Sequence, residues 1–136
     1  MSEETKIAAE VAEAEVDRIV AFFEVDPDGA VWAESRARLV KAMGRGKLTL
    51  EESEAALRLA LARPIELADG KSQITELLFR EPTAGDLKAL DRYRDGEQMA
   101  KTIHLVSKMT GQPIGVIERL AARDLGTIGA VASLFF

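Results

Sequence analysis

Arg63-Pro64-Ile65-Glu66-Leu67-Ala68-Asp69-Gly70-Lys71-Ser72-Gln73-Ile74-Thr75-Glu76-Leu77-Leu78-Phe79-Arg80 is the stretch on which the fold turns. Ile65 and Leu67 alternate with polar residues, Asp69-Gly70 interrupts, and a second extended run follows from Ile74 to Arg80. Asp-Gly between two alternating segments is a strong hairpin signal, because a type I′ turn needs positive φ at both central residues. A two-residue turn there sets Ile65 opposite Ile74 and predicts a β-hairpin over about 64–80. Beyond Glu76 the run Leu77-Leu78-Phe79 is apolar on both faces, which predicts cover on both sides, by helices or by another chain. A lone hairpin is not stable in water, so it must pack on its neighbours.

Upstream, the texture is helical. Val16, Ile19, Val20 and Phe23 fall at i, i+3, i+4 and i+7, one face of a helix, with Glu10, Glu13, Asp17 and Glu24 opposite. Asp26-Pro27-Asp28-Gly29 breaks the chain. A second helix is predicted from Asp28 to Met43, burying Trp32, Leu39 and Met43 and stopped by Gly44 and Gly46. Thr49 with Glu52 has the spacing of a capping box, which predicts a third helix burying Leu50, Leu57 and Leu61 and ending before Pro64.

Downstream, Thr83 with Asp86 predicts another capping box, opening a helix through Leu87 and Leu90 to about Tyr93. The next helix is predicted to turn Met99, Ile103 and Val106 inward and to carry Glu97, Lys101, His104 and Lys108 outside. Gly111 ends it, and Pro113 suits the first turn of a short helix holding Ile114, Ile117 and Leu120. A last helix places Leu125, Ile128, Ala132 and Phe135 on one stripe, with Val131 and Leu134 beside it. The expected class is α+β and predominantly helical. It comprises an N-terminal three-helix segment over 1–62, then a hairpin and four helices over 63–136.

Composition bounds the function. The 136 residues are 47% hydrophobic but only 5% aromatic, so aliphatic side chains must build the core. The absence of cysteine excludes a disulfide framework and thiolate metal sites, and suits a cytoplasmic protein. A net charge of −5 repels phosphate backbones and anionic lipid. The nearest thing to a basic patch, Arg36, Arg38, Lys41, Arg45 and Lys47, reads as a solvated helix face, so no nucleic-acid partner is expected. No apolar run reaches the roughly 18 residues of a membrane span, and Met1–Glu15 is too acidic for a signal peptide, so no membrane partner is expected either.

Catalytic chemistry finds little to work with. His104 is the one histidine, and its lysine neighbours on the polar face mark it as a solvated side chain; no second histidine completes a metal site. Gly44-Arg45-Gly46-Lys47 imitates a phosphate loop, but Lys41 stands where its first glycine belongs and Leu48 replaces the metal-binding hydroxyl. Asp26 and Asp28 are too few for a calcium loop. Glu51, Glu52 and Glu54 fit the first turn of the predicted helix. No catalytic residue, metal ligand or cofactor is therefore expected, and the chain reads as a non-enzyme.

The informative feature is apolar: Ala132-Ser133-Leu134-Phe135-Phe136 places two of five phenylalanines where a chain is ordinarily polar. Either this helix docks into the core or its end helps grip another helix. The candidate protein-binding residues are Leu77, Phe79, Ile128, Val131, Leu134, Phe135 and Phe136.

From about Arg63 onward an ordered series of short strings resembles the tail assembly chaperones of contractile-tailed phages, of the E protein / protein 41 type. It comprises Ile74-Thr75-Glu76-Leu77, Phe79-Arg80-Glu81-Pro82-Thr83-Ala84-Gly85-Asp86-Leu87, Met109-Thr110-Gly111-Gln112-Pro113, Val116-Ile117-Glu118-Arg119-Leu120, and Ala122-Arg123-Asp124-Leu125 with the apolar ending. The resemblance implies a phage or prophage protein of the bacterial cytoplasm. Such a protein coats the long helical tape measure protein, keeps it soluble until tail tube subunits replace it, and is not retained in the virion. It also implies, as a partner, a longer form of the chain itself made by a programmed frameshift, with which a slippery codon run at Phe135-Phe136 is compatible. The two-faced strand makes a homo-oligomer a further expectation. Two other readings stand beside this one: a structural head-tail or tail component, and a small helical protein-binding adaptor. Residues 1–62 lie outside the resemblance.

Overall fold

The computed structural model describes residues 8–135. Phe136, one of the candidate binding residues, lies outside them. The described residues form six α-helices and one three-stranded antiparallel sheet, in strand order β1-β2-β3. The order along the sequence is α1 (Ala9–Phe23), α2 (Gly29–Gly44), β1 (Leu48–Glu51), β2 (Ala56–Glu66), β3 (Gln73–Arg80), α3 (Ala84–Lys88), α4 (Gln98–Thr110), α5 (Ile114–Ile117) and α6 (Ala122–Ala132). Short 3₁₀ turns stand at Glu52–Glu54 and Ala89–Arg92. The α+β, mostly helical class is as the pattern indicates.

The central hairpin has the expected pairing, with Ile65 opposite Ile74 and Glu66 opposite Gln73. Its turn differs. Gly70 takes φ +70° and its N–H donates to the Leu67 carbonyl at 3.0 Å, while Asp69 does not enter the positive-φ region. Instead the Asp69 carboxylate accepts from the N–H groups of Lys71 and Ser72 and from the Ser72 hydroxyl, which holds its pKa below the usual carboxylate value. The connection is therefore a longer Asx-type turn and not a type I′ pair.

The third N-terminal helix does not form. Residues 48–66 are two strands, Leu48 facing Leu59 and Leu50 facing Leu57. The reason lies in an ambiguity of period. Leu50, Leu57 and Leu61 fit a helical stripe, but Leu48/Leu50 and Leu57/Leu59/Leu61 also alternate, and β3 supplies a partner strand that rewards the second reading. Cross-strand rows Leu48–Leu59–Leu77 and Leu50–Leu57–Phe79 then form one buried face of the sheet. On the other face Arg58 stands between Glu51 and Glu76, at 2.9 and 2.6 Å, with half-buried Leu78 opposite it on β3. The expected cover on both sides of Leu77–Phe79 is thus complete on the face of Leu77 and Phe79 and only partial on that of Leu78.

Helices pack on the leucine face: α2 against β1 and α6, α6 against β2 and α4, and α4 against β3, while α1 lies on α2. One apolar core runs through the whole, from Val16, Ile19 and Leu39 to Ile128 and Val131. The position between residues 62 and 63 falls inside β2. Local signals behave as expected around α3 and α4: Thr83 and Asp86 form a reciprocal capping box, and Gly111 ends α4 at φ +74°.

Two positions on α4 depart from expectation. Met99 is 58% exposed, and His104 is buried. The inward stripe of α4 is rotated from the predicted one and consists of His104, Leu105, Val106 and Met109. Apolar residues at 99, 103, 105, 106 and 109 permit two overlapping stripes, and packing against β3 selects the one centred on Leu105 and Met109.

Candidate partner-binding site

The strand pair β2/β3 carries an irregularity that organises the neighbouring helix. Ala60 pairs with Glu76 and Ile65 with Ile74, so Leu61, Ala62, Arg63 and Pro64 lie opposite the single residue Thr75. Such a bulge removes backbone N–H groups from the ladder, and Pro64 has none to lose. Asp124, in the first turn of α6, receives two of the other three: Ala62 N–H donates to Oδ1 at 2.8 Å and Arg63 N–H to Oδ2 at 3.1 Å. The carboxylate is buried, and these bonds fix where α6 starts against the sheet.

With its start held there, α6 lays Ile128, Val131 and Ala132 into the core, and the turn Ser133–Phe135 follows. Of the candidate binding residues, Leu77, Phe79, Ile128, Val131 and Leu134 are all core side chains in the isolated chain. Phe135 is half-buried and meets the end of α1. Its ring stands edge-on to Phe23 at 5.2 Å, and Phe23 stands edge-on to Phe22 at 5.0 Å. Edge-to-face contacts of this kind are favourable beyond the area they bury. Phe22 remains 37% exposed at the outer end of the chain of rings.

Beside Phe135 lies an open groove of about 400 Å³, lined by Val25, Pro27, Pro82, Leu87 and Leu134 together with Asp26, Glu81 and Ser133. A shallow groove that mixes apolar side chains with Asp26, Glu81 and Ser133 can receive an amphipathic helix from a partner. Phe135 is a candidate from the sequence; Phe22, Val25 and Pro27, which the fold brings to the same end of the molecule, are not. The signal available was the doublet Phe22-Phe23, which mirrors Phe135-Phe136.

His104 offers no reacting group. Its Nδ1 is 2.8 Å from the Tyr93 hydroxyl, and whichever of the two donates, Nε2 is left without a partner among the described residues. Burial lowers its pKa, reinforced by Lys108 and Arg92 and opposed by Asp86, so the ring is held neutral. Among the described residues no group of three or more His, Asp or Glu is placed to hold a metal ion. No helix of these residues is long and apolar enough to cross a membrane.

The fold and groove define a small, mainly helical α+β protein built on a bulged antiparallel sheet. Residues 58–136, from the second strand to the last residue, match the family model of phage tail assembly chaperone proteins, E, or 41 or 14. The chain belongs to that family, and membership implies an assembly role, not a catalytic one. Comparison with curated proteins and with solved structures finds no match.

Proposed function

We propose that the chain binds the tape measure protein of its phage or prophage in the host cytoplasm and keeps it soluble until tail tube subunits displace it. Family membership carries this reading. The physical support is the open groove beside Phe135, where Val25, Pro27, Pro82, Leu87 and Leu134 can meet the apolar stripe of a partner helix and Asp26, Glu81 and Ser133 its polar flank. In this reading Phe135 and Phe22 touch the partner. Leu134 lines the groove, while Leu77, Phe79, Ile128 and Val131 act indirectly, as core side chains. A longer frameshifted product of the same gene, or a second copy of the chain, would present the same groove beside the first and cover more of a long partner.

Co-expression with the tape measure protein tests this. The wild-type chain is expected to move that protein from pellet to supernatant, and the double substitution Phe22→Ser/Phe135→Ser to lose most of that effect while its circular dichroism stays helical. An insoluble tape measure protein beside the intact chain rejects the function; full rescue by the double variant rejects the groove. Mass spectrometry of purified particles should find no stoichiometric amount of the chain.

A further inference from the structure

The basic residues of α2, scattered in the linear sequence, converge in space. Arg38, Lys41, Arg45 and Lys47 face Arg123 of α6 across a cavity of about 480 Å³. Four of the five are exposed and Lys47 is half-buried. Among the described residues the ion pairs involve only Arg18, Arg36 and Arg58 as cations, so none of these five is neutralised by an acidic neighbour. The one carboxylate in the wall, Asp124, spends both oxygens on the Ala62 and Arg63 N–H groups. The Arg38 guanidinium lies against Gly126, where a Cβ would collide with it. The glycine thus lets a cation of α2 rest on α6 at the mouth of the cavity.

The net charge of the chain is −5, so setting aside these five positive charges leaves −10 on everything else. A hollow lined by five cations and one carboxylate, net +4, in an otherwise acidic chain is a focus of electrostatic attraction. We infer that this cavity is a second binding surface, and that it takes a carboxylate-rich helical segment of a partner protein. Two observations select that chemistry. Arg38 and Lys41 stand one turn apart on α2 and Arg45 follows at its C-cap, at i, i+3 and i+7, a stripe that matches glutamates repeated with the same period on a facing helix. The cavity floor includes Ala60 and Ala62, small side chains that admit the aliphatic stems of glutamate between the cations. A long phosphodiester chain would run off this patch onto acidic surface, where it is repelled.

The surface uses α2, which lies outside the matched region 58–136, together with Arg123, which lies inside it. The residues are distinct from those of the Phe135 groove, so the failure of either assignment leaves the other standing.

The test is fluorescence anisotropy of the full chain with a labelled helical peptide of alanine and glutamate, the glutamates at i, i+3 and i+7. Binding is expected, with affinity falling about tenfold between roughly 50 and 300 mM NaCl as the ions screen the contact. The double variant Lys41→Gln/Arg45→Gln should weaken it about tenfold, and Arg123→Gln, from the opposite wall, about threefold, each losing favourable charge contacts. Lys71→Gln/Lys101→Gln, which makes the same change in net charge elsewhere, should leave it unchanged, and thermal melts confirm that each variant is folded. The inference is overturned by any of four outcomes. These are no binding of the peptide, indifference to Arg123→Gln, equal loss in the control variant, or tighter binding of a single-stranded oligonucleotide of the same charge.

Discussion

Two joints tie helices into this protein through buried polar groups, and they are built on opposite terms. At the α6–β2 joint the Asp124 carboxylate meets two backbone N–H groups that the bulge has released, one on each of its oxygens. At the α4 corner His104 meets one hydroxyl, that of Tyr93, and its second nitrogen is buried without a partner. Burying a charge is tolerable only where hydrogen bonds replace water, and burying a neutral ring with one idle nitrogen costs less but yields less. The first joint is therefore a lock that positions α6 and, with it, Arg123 and Phe135. The second is a packing contact that depends on the histidine staying neutral.

The sharpest way to break this contrast is Asp124→Ala. It removes two charge-assisted bonds and should cost about 3 kcal/mol, a fall of roughly 10 °C in Tm for a domain of this size. Asp124→Asn, which keeps one acceptor oxygen, should recover about half of that loss. A melt unchanged by Asp124→Ala would show that water replaces the carboxylate at no cost.

A smaller, opposite effect isolates the joint from the rest of the sheet. Ala55, in the turn before β2, sits at φ +51°, a conformation that disfavours any side chain. Ala55→Gly should stabilise by about 0.5–1 kcal/mol in urea titrations. Ala55 lies at the opposite end of β2 from the bulge, so its effect should add to that of Asp124→Ala within roughly 0.5 kcal/mol. Strong non-additivity would mean that the lock reaches along the whole strand.

The gentlest test concerns pH. Because burial lowers the folded pKa of His104 below its ordinary 6.5, the unfolded chain binds the proton first. Stability from this group is fully present above the unfolded pKa and drains away as pH falls from about 6.5 toward the folded value. Urea midpoints measured between about pH 7.5 and 5 should show that decline, and His104→Gln should flatten it. A slope identical in both chains would place the effect elsewhere.

Much of the architecture was legible residue by residue because it is local. The Ile65–Ile74 pairing follows from the Asp-Gly signal between alternating segments, α1 from the i, i+3, i+4 spacing of Val16, Ile19, Val20 and Phe23, and the start of α3 from Thr83 and Asp86. The ordered strings from Ile74 to Leu125 carried the family resemblance because they lie within the matched region. The candidate site was only partly readable. Phe135 stood out by composition, but Phe22 and Val25 join it only because α1 ends where α6 ends.

What the amino-acid sequence determined alone was therefore every feature decided within about one turn of helix or one hairpin: caps, stops, the central strand pairing and the mainly helical class. Tertiary structure decided the rest. Residues 48–61, rich in Leu, Ala and Glu, satisfy a helical and an extended period equally well, and became strands because β3 offered ladder bonds and a leucine face that no local contact supplies. The same holds for His104, turned inward by packing on α4, and for the five cations, gathered from α2, its exit and α6. A side chain's neighbours across the core are set by how elements dock, and docking energy is a property of surfaces that exist only once the chain has folded.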